Sequence, residues 1–100
     1  MATGGDTMRL AARVDSTQAE IVAALRAAGC SVVSLAPVGH GVPDLLIGRP
    51  DERGRPRNWL LECKSHGGRM TQAEFEWQRD WRGQVEIVFN AEQALKAVGL

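Results

Sequence analysis

Pro43-Asp44 opens the apolar run Leu45-Leu46-Ile47, and a second run, Trp59-Leu60-Leu61, closes on Glu62-Cys63-Lys64. In an extended strand alternate side chains share a face, so Glu62 and Lys64 point the same way with Leu60 behind them. If the two runs are neighbouring strands, Asp44, Glu62 and Lys64 meet at one sheet edge. Two carboxylates can hold a hard divalent cation, and an ammonium beside them can act on water or on phosphate. The main-chain carbonyl of Cys63 lies between Glu62 and Lys64 and offers a third oxygen to such a cation. Mg2+ keeps water and phosphate oxygens in its remaining positions. These groups are the smallest equipment for cutting a phosphodiester bond.

Each group also has a plainer reading. Asp44 alone is an acid at a strand end, capping a turn, and Glu62 with Lys64 is an ion pair on one strand. Three charged groups on two adjacent apolar strands, both leading into glycine-bearing loops, fit a functional edge better than a packing edge. His40 and His66 sit in flanking loops, where they would touch a phosphate or simply face solvent. Trp59, Trp77 and Trp81 offer stacking surfaces for bases. Trp77 and Trp81, four apart on one helix, also read as core or as a subunit interface, and Cys63 reads as a small buried filler.

The elements that must position these residues follow from periodicity and punctuation. Asp15-Ser16-Thr17 offers helix-capping side chains, and Ile21, Val22, Ala24, Leu25 and Ala28 follow at helical spacing until Gly29 stops the helix. Ser31 to Ala36 is β-branched and apolar, which predicts a strand. Pro37 to Gly41 is a loop, and Asp44 to Gly48 a second strand. Arg49 to Arg57, with two prolines and a glycine, suits a hairpin loop, and Asn58 to Lys64 is a third strand. Ser65 to Arg69 is a Gly-Gly loop. Thr71 caps a helix to about Arg82, with Glu74 completing a capping box, Met70 and Phe75 forming a hydrophobic staple, and Gly83 ending it. Val85 to Phe89 is a fourth strand and Ala91 to Val98 a closing helix. The expected fold is α/β, with a central mixed four-stranded sheet flanked by helices in the order αβββαβα, because both strand faces are apolar: Leu45 and Ile47 on one, Leu46 on the other.

A chain of 100 residues allows one domain with a modest core, here residues 15–100 after an expected flexible leader over residues 1–14. No apolar run approaches a membrane span, and no secretory signal is visible at the start. Cys30 and Cys63 share no motif spacing with each other or with the histidines, which excludes a disulfide framework or a zinc site and points to reduced thiols inside a cell. The net charge is zero, against the basic bias of nucleic-acid binders. Yet Arg49, Arg53, Arg55, Arg57, Lys64 and Arg69 face only Asp51, Glu52 and Glu62 in that segment, so either a locally positive rim or a solvated arginine-rich turn is expected there.

Gly41-Val42-Pro43-Asp44, Glu62-Cys63-Lys64 and the Gly68-Arg69-Met70-Thr71 entry to a helix together resemble the PD-(D/E)XK nuclease superfamily, and within it the small VRR-NUC branch. The resemblance covers roughly Asp15 to Val98. It implies a restriction-endonuclease-like core and Mg2+-dependent endonuclease activity, with Mn2+ as a substitute. Asp44 and Glu62 would be metal ligands, and Lys64 the base or water-positioning group. Stand-alone members of this branch are often phage-encoded and resemble Holliday-junction resolvases, which implies a cytoplasmic homodimer acting on branched DNA in a bacterium or a phage-infected host.

The chain departs from that pattern twice. Relatives place a further glutamate on the first helix, and the closest register, counted back from Gly29, puts Gln18 there as the corresponding candidate. Glu20 lies two positions on, about 200° around the helix, so both cannot face the metal. Glu20 also reads as the capping-box partner of Thr17. Relatives often carry glutamine three residues after the serine or threonine that begins the second helix, where this chain has Glu74, read as a cap, with Gln72 and Gln78 near by. Two further readings compete with a structure-selective nuclease: a non-catalytic DNA-binding or assembly module on the nuclease fold, and a sequence-specific restriction enzyme, for which the chain has few spare residues to read the major groove.

Overall fold

A computed structural model of the chain describes residues 16–100. The expected leader and the Asp15 cap fall outside these residues. Helix α1 covers residues 16–27. It is followed by β1 (Ser31–Ser34), a 3-10 turn (Ala36–Val38), β2 (Leu45–Pro50), β3 (Pro56–Cys63), α2 (Gln72–Asp80), β4 (Glu86–Val88) and α3 (Ala91–Ala97). The four strands form one sheet in the order β1-β2-β3-β4. The first two pairings are antiparallel and β3–β4 is parallel, with α2 as the crossover, so the architecture is the expected α/β mixed sheet in the order αβββαβα.

Several boundaries move. The hairpin loop shrinks to the residues around Asp51–Arg55, because Arg49 pairs with Arg57 and Pro50 with Pro56 across the ladder. Charge and proline at those positions suggest a loop, but an exposed strand end tolerates both. The turn is closed by Asp51 N–H to Arg55 O and Gly54 N–H to Asp51 O, each 2.9 Å. Gly54 adopts φ +78°, the left-handed conformation that glycine reaches without strain. Helix α2 stops at Asp80 rather than at Gly83, with Trp81 in extended conformation as its C-cap. The Trp81 indole then donates to the Gln84 carbonyl (3.0 Å), so a side-chain bond turns the chain there before the glycine is reached.

The two sheet faces differ in cover. Register pairs Val32 with Ile47 and Ile47 with Trp59, and Leu45 with Leu61, which puts all of them on one face. There Leu45, Ile47, Leu61 and Val88 pack with Ile21 and Leu25 of α1 and with Ala94 and Val98 about α3 as the buried core. The other face carries Leu46, Leu60, Glu62 and Ile87 and is covered by α2, none of whose nine residues is buried. Phe75, expected to staple that helix, stays 55% exposed. The second layer is thin.

Candidate active site

Asp44 and Glu62 meet because of strand register. Leu45 lies opposite Leu61, so the next pair outward sets Asp44 opposite Glu62, and directly opposed residues project from the same face. Asp44 stands just before β2, where its carbonyl still accepts from Leu35 N–H at 2.8 Å and continues the β1 ladder by one step. Its side chain turns to β3, and Cys63 N–H donates to Asp44 Oδ2 at 2.7 Å, which fixes the carboxylate's orientation. Cys63 therefore takes part through its amide; its carbonyl, expected as a metal ligand, has no contact that assigns it that part. The Cys63 thiol is buried, and burial pushes it up to about 12, with the Asp44 and Glu62 charges adding, so it stays a neutral filler.

Glu62 is 0% exposed. Among the described residues no N–H or O–H group donates to either of its carboxyl oxygens. Its neighbours are instead the carboxyls of Asp44 and Glu74, within hydrogen-bonding reach when Glu62 keeps a proton. Burial, then these two acids, raise its pKa from 4.5 to about 10. A carboxyl held among other carboxyls without a donor calls for a proton or a cation.

Lys64 reaches the same place, two residues along β3. Its Nζ lies 3.9 Å from Glu62 Oε2, too far for a hydrogen bond, and 2.7 Å from Glu74 Oε1. Glu74 reads from the sequence as a cap. The capping box does form: Glu74 N–H donates to Thr71 Oγ1 (3.1 Å) and Thr71 N–H donates to Glu74 Oε1 (2.7 Å). The same carboxylate oxygen accepts from Lys64, so one side chain both starts α2 and holds the lysine. Burial pushes the Glu74 carboxyl up, but bonds from Glu62, Lys64 and the Thr71 amide, with the lysine's charge, outweigh it and bring it down to about 2. The signal for this role was the position itself, on the first turn of the helix that follows the Lys64 strand.

Gly41 lies against the first turn of α2. It has φ +79°, and a Cβ there would overlap the Ala73 carbonyl and come within 2.8 Å of Glu74 N. The loop before Asp44 thus lies directly on the first turn of α2, and the fully buried Pro43 follows it. This contact brings the Asp44 loop and Glu74 together over Glu62. His40, one residue earlier, also has positive φ (57°), a conformation more accessible to histidine than to most residues.

Other candidates fall elsewhere. Gln18 lines a separate cavity with Val22, Arg26 and Ala36, and Glu20 is exposed. His66 is exposed in the loop after Lys64. Trp77 and Trp81 stack on each other with ring centroids 4.8 Å apart, and with His40 they line a surface cavity of about 390 Å³. Cys30 and Cys63 are both free thiols.

The donor set suits a hard cation. Among the described residues no three His, Cys, Asp or Glu side chains are grouped as a complete metal cage. Mg2+ does not need one, since it is usually held by one or two carboxylates and completed by water and phosphate. Asp44 and Glu62 are such a pair, and the two unpartnered oxygens of Glu62 are what such an ion would engage. Among the described residues no helix is long and apolar enough to cross a membrane. No protein family matches the chain, and neither a curated protein nor a solved structure matches it at a significant level.

Proposed function

We propose that the protein is a Mg2+-dependent endodeoxyribonuclease of the PD-(D/E)XK type. The observation that carries this reading is Glu62: a fully buried carboxylate with neither oxygen satisfied, facing Asp44 and standing beside a lysine. Asp44 and Glu62 would hold the ion. When bound there, such an ion would supply polarisation of the phosphoryl group and a lowered pKa for water. Asp44 is kept in orientation by the Cys63 amide, and Lys64 is kept at the cluster by Glu74. The lysine ammonium then orients the attacking water or offsets charge that develops on the phosphate. Gly41 lies against the first turn of α2 and so keeps Glu74 beside the lysine.

The preferred substrate in this reading is branched DNA, such as a four-way junction or a flap, cut by a homodimer. A chain of this size has little surface to grip a duplex, and two-fold pairing doubles it. The stacked Trp77 of α2 and its C-cap Trp81, the latter 44% exposed, supply an apolar face for a second copy.

The test is incubation with Mg2+ and labelled linear, flapped, splayed and four-way DNA, with Glu62→Ala as control. Cleavage by wild type and none by the variant is expected; cleavage at the wild-type rate by Glu62→Ala refutes the assignment. A non-catalytic DNA-binding module is favoured by one observation, the placement of Gln18 in a cavity of its own. Intact DNA binding without Mg2+ or Mn2+ binding at Asp44 and Glu62 would select it.

A further inference from the structure

The candidate site uses one end of β2 and β3. The other end carries a cluster that the chemistry above leaves unused. Arg49, Arg53, Arg55 and Arg57 line a cavity of about 270 Å³ with Trp59 and two acids, Asp51 and Glu52. Arg49 pairs directly across the ladder with Arg57, an arrangement of like charges that is unfavourable unless anions lie near it.

Asp51 is the one acid that organises the cluster. Its Oδ1 accepts from Arg53 N–H and Arg55 N–H at 2.9 Å each, and its Oδ2 accepts from Arg55 Nε (3.0 Å) and Arg57 Nε (3.3 Å). The bond from the Arg55 amide leads these interactions in holding the Asp51 carboxyl below its ordinary range. Both guanidinium groups bond through Nε, and the side chains of Arg55 and Arg57 remain 58% and 52% exposed. Arg49 is committed differently: its Nη1 donates to Val98 O at 2.7 Å and closes the C-terminal end of α3. The turn therefore presents three arginines, two of them oriented in advance by one carboxylate. Such preorganisation lowers the entropy lost when an anion is gripped. The planar arginine fork matches phosphate oxygens.

We propose that the β2–β3 hairpin is a second, non-catalytic anchor for the phosphate backbone of the nucleic acid, with Arg53, Arg55 and Arg57 as its contacts. The proposal rests on the nuclease reading for the identity of its ligand. Its position sets a length. Seven residue steps separate Glu62 on β3 from Arg55 in the turn before it, about 23 Å of extended chain, which matches about seven base pairs of duplex. The anchor thus engages a duplex arm about seven base pairs from the scissile bond.

The experiment is fluorescence anisotropy of the full chain with labelled duplex and four-way DNA in EDTA across a salt series. Wild type is compared with Arg53→Gln and with Arg53→Gln/Arg55→Gln/Arg57→Gln, each first shown to melt cooperatively. Arg55 and Arg57 hold Asp51, whereas the Arg53 side chain has no such bond, so the single variant keeps the test open if the triple variant does not fold. The expected slope of log affinity against log salt is shallower by about 1 in the single and by about 2 to 3 in the triple variant. A second readout is cleavage: trimming one duplex arm below about seven base pairs raises KM for wild type but not for the triple variant, with kcat unchanged.

Folded variants with the wild-type salt slope overturn the anchor, whether or not DNA is cut. So does a wild type that binds no DNA, or binding that poly-glutamate of equal charge competes away as well as DNA does. Arginine-dependent DNA binding without cleavage keeps the anchor and removes the nuclease reading; cleavage with arginine-independent binding does the reverse.

Discussion

Lys64 Nζ sits 2.7 Å from Glu74 Oε1 but 3.9 Å from Glu62 Oε2, so the lysine is held by a helix and only approached by its strand neighbour. Lys64→Ala is expected to abolish cleavage and leave DNA binding largely intact. Glu74→Gln keeps a residue type that completes a capping box but weakens the hold on the ammonium. It is expected to lower kcat by about 10- to 100-fold, the usual loss when a supporting group is removed, and to lower the melting temperature above pH 4.5, where ionised Glu74 contributes to stability, while the variant still melts cooperatively. Steady-state kinetics beside thermal melts separate this from a folding defect. Thr71→Ala should show the opposite balance, losing about 1 kcal/mol of stability through the cap.

Gly41→Ala is expected to be among the most damaging single changes in the chain. The new Cβ overlaps the Ala73 carbonyl and also demands a left-handed backbone of a residue that avoids it. The strain alone costs about 1–3 kcal/mol, and relief by moving α2 would carry Glu74 away from Lys64. Gly54→Ala is the control, since it shares the positive φ but meets nothing within 4 Å. Chemical denaturation should show the larger loss at Gly41, with cleavage lost at Gly41 only.

The carboxyl cluster predicts an unusual pH profile. Folded Glu62 keeps its proton to about 10, whereas the unfolded chain releases it near 4.5. Between those values the folded state binds the extra proton, so its contribution to stability falls as pH rises. Glu74 acts the other way: its carboxyl lies at about 2 against 4.5, so its contribution is full above 4.5 and fades as pH falls toward 2. Together they place the stability maximum of the metal-free protein at about pH 4 to 5, with a decline toward pH 9. Thermal melts in EDTA across that range check it. Glu62→Gln should flatten the alkaline decline while abolishing cleavage.

Binding of Mg2+ at this pair should release a proton. Glu62 must ionise before it can donate to a cation, so affinity rises with pH below about 10. Calorimetry at pH 7.5 (about neutral) in two buffers of different ionisation enthalpy is expected to show close to one proton released per ion in wild type and fewer in Glu62→Gln. Equal heats in both buffers would exclude the linkage.

Much of this arrangement was legible in the residues themselves. Alternation in Leu60-Leu61-Glu62-Cys63-Lys64 is a local property of an extended backbone, so the shared face of Glu62 and Lys64 followed without coordinates. The capping box at Thr71 and Glu74 was equally local, because both partners lie within one helical turn. The order of elements follows from period and punctuation, although those signals overstate the β2–β3 loop and the length of α2.

Tertiary structure decided the rest, because it depends on contacts between residues distant in the chain. That Asp44 stands opposite Glu62 is a matter of register, which one residue of slippage would reverse. That Glu74 reaches Lys64 depends on where the crossover lays α2, and that in turn depends on a missing side chain at Gly41. Glu62 became fully buried only when these pieces closed over it. Periodicity can name the face on which a carboxylate lies; it cannot say whether water still reaches it.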